Sequence, residues 1–269
     1  MRRTGLRRGR VTLGVVEVGD PERPAAVIAH GAGSTASFVL RCFAASVDAA
    51  GMRLVAYDLR GHASSTALRD VSSLSLAEHA ADFAAVAERA DGIVYGGISL
   101  GARIAIECAT TQRPAPDGLL LALPAWLGPD DPSAAVTRAT AHELRRLGTL
   151  GALARIDGDP AVPDWIATEL RAAWSQHDGA SLIATLDAAS AAPAPDAASL
   201  ARLQVPAGVV GAPDDHAHPL SAAKRYAAAL PRSALWRTSL AAVGLDRSKL
   251  GASAVGAWRA ATRQVSEPR

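Results

Sequence analysis

The sequence has little cysteine and no long apolar run. Its two cysteines, Cys42 and Cys108, are too few for a disulfide framework and lack the clustering that a zinc site needs. No stretch approaches the roughly 18 uncharged apolar residues that a membrane-spanning helix requires. We therefore expect no metal, no disulfide-stapled secreted domain and no membrane partner.

The sequence also has no large excess of positive or negative charge. Lysine and arginine total 28 against 26 aspartates and glutamates, a formal net charge of +2, so a nucleic-acid partner has little support. Arginines crowd residues 1–10, as in a twin-arginine export signal, but Glu17 and Asp20 interrupt the apolar stretch that such a signal needs. The sequence therefore predicts a solvated amino-terminal segment and a cytoplasmic protein.

The chain contains enough apolar material for one large domain, or for one domain with an insertion, since 49% of its 269 residues are hydrophobic. Short apolar runs bounded by turn residues predict strands covered on both faces. They lie at 11–18, 25–30, 53–58, 92–97, 118–124, 207–213 and 234–240. Helix-period stretches, notably 75–90 and 101–111, alternate with them, which predicts an α/β fold with a mostly parallel sheet flanked by helices.

This alternation fails between residues 124 and 205. The interval holds proline-rich breaks, helical pieces and three of the five tryptophans. Open α/β sheets bind ligands at the carboxyl ends of their strands. We therefore predict a helical cap at 125–200 that covers this end of a core built from residues 1–124 and 201–269.

One sequence motif predicts a catalytic residue. The segment 97–101, GISLG, fits the pattern G-x-S-x-G, and it lies where a buried strand ends and an apolar helix begins. Flanking glycines allow the sharp turn that lifts the Ser99 hydroxyl out of the sheet in a strained conformation. Because the helix begins there, the Leu100 amide is free to bind the negative oxygen of a tetrahedral intermediate.

Together with other segments, this elbow resembles the α/β-hydrolase superfamily, and the resemblance covers nearly the whole chain. The segment 30–33, HGAG, is similar to the family's HG turn. The segment 58–65, DLRGHASS, resembles D-x-R-G-x-G-x-S, with Ala63 in place of the usual glycine, and 211–215, GAPDD, resembles the loop that carries the triad acid. These motifs occur in the right order between the right predicted strands.

The resemblance implies a serine esterase or lipase-like enzyme without a cofactor. Ser99 would be the nucleophile and Asp215, four residues before Pro219, the acid. The amides of Ala32 and Leu100 would form the oxyanion hole.

Two residues are candidates for substrate binding. His30 belongs to the HG turn, and it is expected to brace that turn by hydrogen bonds rather than to act as a base. Trp126 opens the predicted cap, whose tryptophans can be shared with the pocket. No cluster of Arg or Lys in the motif loops suggests a phosphorylated substrate.

The sequence departs from the family at the base. A histidine is expected after the last strand, but residues 241–251 contain none, and Leu245 stands about where it would be. After Asp215 only His216 and His218 remain. Without a base, a serine hydroxyl is a weak nucleophile.

Three hypotheses remain open. The chain could be a hydrolase of a small carboxylic ester or related acyl compound with a relocated base. It could catalyse a non-hydrolytic reaction, such as a lyase or cyclisation step. It could instead have lost catalysis and bind a small apolar ligand or a partner, because this fold hosts many functions. The retained serine elbow and acid favour the first hypothesis, with a small molecule as substrate.

His218 is the leading candidate for the relocated base. In the family's strand order, the acid strand is two strands from the nucleophile strand, roughly 9 to 10 Å away at about 4.8 Å per step. The loop would have to lean over the intervening strand, or a water would have to bridge the gap. The alternative is that His218 binds neighbouring backbone and steadies its own loop.

Other polar residues are expected to have structural roles. Arg60 and His62 should tie loops together near the mouth of the pocket, and Asp214 should cap the helix that follows it. His79 is expected on the surface or flank of its helix, and His177 in solvent on the cap.

Overall fold

The computed structural model describes residues 1–71, 74–111, 115–125, 128 and 131–263. In this part of the chain the strands are β1 (Arg2–Arg8), β2 (Val11–Val18), β3 (Ala25–Ala29), β4 (Arg53–Tyr57), β5 (Gly92–Ile98), β6 (Gly118–Ala122), β7 (Ala207–Gly211) and β8 (Ser233–Arg237). They form one 8-stranded sheet in the order β1-β2-β4-β3-β5-β6-β7-β8. From β4 to β8 in this order every neighbouring pair is parallel, whereas the pairs β1–β2 and β2–β4 are antiparallel. This confirms the predicted mostly parallel α/β sheet.

Helices connect and flank these strands. They are α1 (Ala36–Asp48), α2 (Leu76–Arg89), α3 (Leu100–Thr111), α4 (Pro132–Asp157), α5 (Asp164–Trp174), α6 (Gly179–Ala191), α7 (Ala197–Ala201), α8 (Leu220–Ala229), α9 (Leu240–Leu245) and α10 (Ser248–Arg263). Among the described helices, none is long and apolar enough to cross a membrane.

Two apolar layers cover the sheet, one on each face. Successive strand residues point to opposite faces, so Val27 and Ile28 of β3 belong to different layers. One layer joins the sheet to α2, α3 and α8, and the other joins it to α1 and α10. Because both faces are covered, β3, β6 and β7 are buried along their whole length, as their continuous apolar sequences predict.

The amino-terminal segment has exposed side chains, as expected, but it forms a strand that the sequence did not predict. β1 pairs with β2 and forms one edge of the sheet. All its side chains are exposed or half-buried, and Arg2 forms an ion pair with Glu17 on β2. An edge strand of this kind lacks the apolar run by which buried strands are recognised, so the sequence did not reveal it.

The helices α4 to α7 occupy the interval between β6 and β7, and we call them the insertion. The helix α4 is interrupted at Gly148, whose φ of 67° is not helical. A separate apolar cluster within the insertion contains Ala141, Leu144, Ala152, Leu153, Ala173, Trp174, Leu182 and Leu186. The division into a core and a cap at 125–200 stays a prediction.

A buried ion pair ties the loop after β4 to α2. Arg60 donates two hydrogen bonds to the Asp82 carboxylate, from Nε at 2.6 Å and from Nη2 at 2.7 Å. The Asp82 side chain is completely buried, and Arg8 also donates to it at 3.1 Å. Removing one partner would leave an uncompensated buried charge, so this contact holds the loop firmly against the helix.

The burial of His79 corrects its expected place on the surface or flank of α2. Its side chain lies inside the protein, and neither ring nitrogen has a hydrogen-bond partner among the described residues. Burial, together with the nearby charges of Arg60 and His30, lowers the pKa of His79 to about 3. Burial likewise lowers the pKa of His30 to about 4 and that of His62 well below 6.5.

These buried histidines predict a loss of folding stability as the pH falls below about 6.5. The unfolded chain takes up protons at the ordinary histidine pKa of 6.5, whereas folded His30 and His79 stay neutral down to about 4 and 3. Between these values each contributes a slope of about 1.4 kcal/mol per pH unit to the free energy of unfolding. His79→Leu should lower the slope of the free energy of unfolding against pH by the contribution of one histidine. Urea unfolding at pH 7, 6 and 5 measures this slope.

His142→Gln is the matched control, because it removes a histidine that is exposed instead of buried. Carboxylates with lowered pKa values contribute equally to all three proteins, so the difference between variants isolates His79. A wild-type slope in His79→Leu would contradict the prediction.

Candidate active site

Ser99 lies at a sharp turn between strand and helix. β5 ends at Ile98 and α3 begins at Leu100, and Ser99 between them has a φ of 55°, a left-handed conformation that costs a non-glycine residue energy. A Cβ atom at Gly97 would collide with the backbone of Gly101. The predicted strand-to-helix turn is confirmed, and the close approach of the two backbones explains the glycines.

A chain of hydrogen bonds joins three of the residues that the sequence predicts as catalytic. His218 Nε2 lies 2.8 Å from Ser99 Oγ, and His218 Nδ1 lies 2.9 Å from Asp215 Oδ2. Because the carboxylate can only accept, Nδ1 carries the proton, and Nε2 is left with a lone pair for the Ser99 hydroxyl. This is the tautomer that a general base requires.

The Asp215 carboxylate also shapes the loop that carries His218. Its Oδ1 accepts hydrogen bonds from the backbone N–H groups of Ala217 and His218, both at 2.9 Å. Burial alone would raise the pKa of Asp215, but the electrostatic interaction with His218 and these hydrogen bonds hold it below its ordinary value. The carboxylate therefore stays ionised while one oxygen folds the loop and the other orients the imidazole.

The loop itself closes the gap between the acid strand and the nucleophile strand. β6 lies between β5 and β7, so Ser99 and Asp215 follow strands two steps apart, about 10 Å at the usual strand spacing. The loop after β7 brings His218 past the end of β6 to direct contact with Ser99. The ring nitrogens bond the side chains of Ser99 and Asp215, not the neighbouring backbone that the alternative hypothesis invoked.

Ser99 and His218 open onto a small cavity of about 60 Å³. Ala32 and Leu100, the residues whose amides are candidate oxyanion donors, line the same cavity. Leu100 is the first residue of α3, so its N–H has no acceptor one turn earlier in the helix. The remaining described lining residues are Ala125, Ser133, Val136, Thr137, Ala189 and Ala217.

His30 is not among the described residues that line this cavity. The ring is completely buried, and its Nδ1–H donates to the Gly31 carbonyl at 2.7 Å. Its Nε2 accepts from the Leu59 N–H at 2.9 Å. With both nitrogens committed to backbone, His30 braces the HG turn. Trp126, the other candidate for substrate binding, lies outside the described residues.

The region where the family's histidine was expected holds α9 instead. Asp214 accepts from the N–H groups of Leu240 and Ala241 at 2.9 and 3.3 Å, so it caps α9 and not the next helix, α8. Leu245, the last residue of α9, is 92% exposed. A side chain at this position is in solvent, and it is not among the described residues that line the cavity at Ser99.

Sequence reasoning missed the insertion residues that line the cavity. Ser133, Val136 and Thr137 come from α4, and Ala189 comes from α6. They are small residues without a motif, and no sequence signal marks them. Among the described residues, no group of three or more His, Cys, Asp or Glu is placed to hold a metal ion.

Solved structures similar to this one include several hydrolases. One is a structure from a study of carboxylesterases of the thaumarchaeon Nitrososphaera gargenis. It has 15% identity and a TM-score of 0.76, and the match covers 97% of this chain and 100% of that one. A thermophilic esterase from Thermogutta terrifontis has 19% identity and a TM-score of 0.74 over 99% of this chain and 100% of that one. The enol-lactonase from Burkholderia xenovorans LB400 has 16% identity and a TM-score of 0.76 over 98% and 100%. At these identities the likeness shows the fold alone.

The sequence itself also matches a family. Among curated proteins none matches it significantly. Residues 20–234, however, match the family model described as serine aminopeptidase, S33. This range contains the serine elbow, the HG turn and the acid loop. Because the match spans most of the chain and the fold agrees with it, the protein belongs to the serine aminopeptidase S33 family of α/β-hydrolases.

Proposed function

We propose that the protein is a serine hydrolase that cleaves a small carboxylic ester or a related acyl compound. The observation that carries this proposal is the hydrogen-bonded chain from Ser99 through His218 to Asp215. A hydroxyl becomes an effective nucleophile when an oriented base takes its proton. The helical insertion, whose side chains line the cavity, would act as the cap.

In the first half of the reaction, Ser99 Oγ attacks the acyl carbon while its proton passes to His218 Nε2. The ionised Asp215 stabilises the imidazolium that forms, without taking up a proton. The amides of Leu100 and Ala32 would bind the oxyanion of the tetrahedral intermediate. When the intermediate collapses, the bond to the leaving alcohol breaks, and His218 donates its proton to that oxygen.

In the second half, water hydrolyses the acyl-enzyme. His218 Nε2 takes a proton from the water as its oxygen attacks the acyl carbon. The second tetrahedral intermediate then releases Ser99, which recovers its proton from His218, and the carboxylic acid leaves. In each half His218 accepts one proton and donates one: the Ser99 proton leaves with the alcohol, and a proton from the water replaces it, so the enzyme ends unchanged.

The cavity supports a small and apolar acyl group. A cavity of about 150 Å³ holds benzene, and the space at Ser99 is about 60 Å³. Its described lining is mainly Ala, Leu and Val, with the hydroxyls of Ser133 and Thr137 already donating to Asp131 and to the Ser133 carbonyl. An acetyl or propionyl group is therefore the expected acyl part.

The other hypotheses find less support. A ligand-binding protein has no need of an imidazole hydrogen-bonded to both a strained serine and a buried carboxylate. The family whose model matches the chain is described as a serine aminopeptidase, which is a hydrolase, and this favours hydrolysis over a lyase or cyclisation step. The family name, serine aminopeptidase, also points to amide substrates, so an amide is tested beside the esters.

Ser99→Ala should abolish covalent labelling by a fluorophosphonate probe and reduce p-nitrophenyl acetate hydrolysis by about a thousand-fold or more, because the nucleophile is lost. The control is Ser175→Ala, on the exposed surface of the insertion, which should label like the wild type. Undiminished labelling of Ser99→Ala would show that another residue reacts.

His218→Gln should lower kcat for the same ester by roughly a hundred-fold to ten-thousand-fold, because no base accepts the Ser99 proton. His216→Gln is the matched control, since His216 lies on the same loop but is exposed. Thermal unfolding checks that both variants are folded. Full turnover by a folded His218→Gln would rule out this base.

A series of p-nitrophenyl esters should show a steep fall in kcat/KM from acetate to octanoate, because the longer chains exceed the cavity. An aminoacyl p-nitroanilide, measured beside the series, distinguishes an aminopeptidase from an esterase. A flat profile, or a preference for octanoate, would contradict the small-acyl proposal.

A further inference from the structure

The Ala32 amide lies in a tight turn that needs outside support. The Gly31 carbonyl accepts from the Ser34 N–H at 3.0 Å, which closes the turn 31–34. Gly33, the third residue, has a φ of 71°, as a type II turn requires. A turn of four residues has few contacts of its own, so the position of the Ala32 N–H depends on what surrounds it.

His62 holds the second half of this turn. Its Nε2 accepts a hydrogen bond from the Gly33 N–H at 3.2 Å, and its Nδ1–H donates to the Arg60 carbonyl at 3.2 Å. The ring is completely buried and is not among the described residues that line the cavity. Burial, aided by the nearby His30 and His177, lowers the pKa of His62 well below 6.5, so Nε2 keeps its lone pair.

The insertion supports the same structure from the other side. The indole of Trp174 packs against Gly33 so closely that a Cβ atom at that glycine would come within 2.6 Å of Nε1. His177 contacts His62 edge to face, with ring centroids 4.6 Å apart. Its Nδ1 accepts from the Ala63 N–H at 3.1 Å, which corrects the expectation that His177 is solvated.

From these contacts we propose that His62 is a positioning residue for the oxyanion hole, and that His177 of the insertion holds the loop of His62 in place. The inference rests on the proposed function, in which the Ala32 amide binds the oxyanion. His62 acts through the turn and does not touch the substrate. The insertion thus helps to set the catalytic geometry in addition to covering the cavity.

The chemistry of the two imidazoles suggests a matched set of variants. The amide oxygen of glutamine can replace a ring Nε2, whereas that of asparagine lies closer to the position of Nδ1. His62 accepts through Nε2 and His177 through Nδ1. Therefore His62→Gln and His177→Asn keep the acceptor, whereas His62→Asn and His177→Gln lose it. A role in packing alone would not produce this crossed pattern.

The decisive experiment measures kcat and KM for p-nitrophenyl acetate in these four variants, together with thermal unfolding. Loss of one oxyanion donor costs about 10² to 10³ in kcat, and a displaced donor should cost less. We expect His62→Asn to lower kcat about 10-fold to 100-fold with KM changed less than about 3-fold. His62→Gln should stay within about 5-fold of the wild type, and His177→Gln should be slower than His177→Asn.

Amide hydrogen exchange at Gly33 gives a readout that does not depend on activity. Exchange should be faster in His62→Asn than in the wild type or in His62→Gln, because the acceptor is lost. Equal kcat in both His62 variants, or equal Gly33 exchange, would overturn the inference. If Ser99→Ala retained turnover, the proposed function would fail instead, while the exchange experiment would still test His62.

Discussion

The candidate site depends on one carboxylate that makes two kinds of contact. Asp215 Oδ1 binds the backbone of its own loop, and Oδ2 binds the ring of His218. The first contact sets the path of the loop across the end of β6, and the second turns the lone pair of Nε2 toward Ser99. In the usual arrangement of this fold, acid and base come from separate loops. Here the candidates for both, Asp215 and His218, lie on the one loop 212–219, so the conformation of that loop sets their geometry relative to each other.

The second constraint is the strain at Ser99. A left-handed non-glycine residue costs on the order of 1–3 kcal/mol, and the surrounding sheet and helix must hold it. β5 is paired on both sides, with β3 and β6, and the Ser99 N–H donates to the Ala122 carbonyl at 3.0 Å. The apolar layer between α3 and the sheet adds to this support. The serine is thus held between the buried end of β5 and the buried first turn of α3, while it is itself half-buried and lines the cavity.

Histidine serves different purposes in this protein according to its surroundings. His30 and His62 are buried, and burial keeps them neutral so that each can donate through one nitrogen and accept through the other. His218 is half-buried and faces both a carboxylate and a hydroxyl, which suits proton transfer. His79 is buried without a hydrogen-bond partner in the described structure, and burial lowers its pKa to about 3. The residue type alone distinguishes none of these roles.

The sequence by itself determined the α/β sheet, the turn at Ser99 and the acid loop, because apolar periodicity and short motifs are local properties. Tertiary structure alone decided that His218 reaches Ser99, since that contact depends on the strand order and on the fold of a loop two strands away. It also decided the burial of His79 and the contact of His177 with the loop after β4. Such contacts join residues far apart in the chain, and only the folded sheet and the packed insertion bring them within hydrogen-bonding distance.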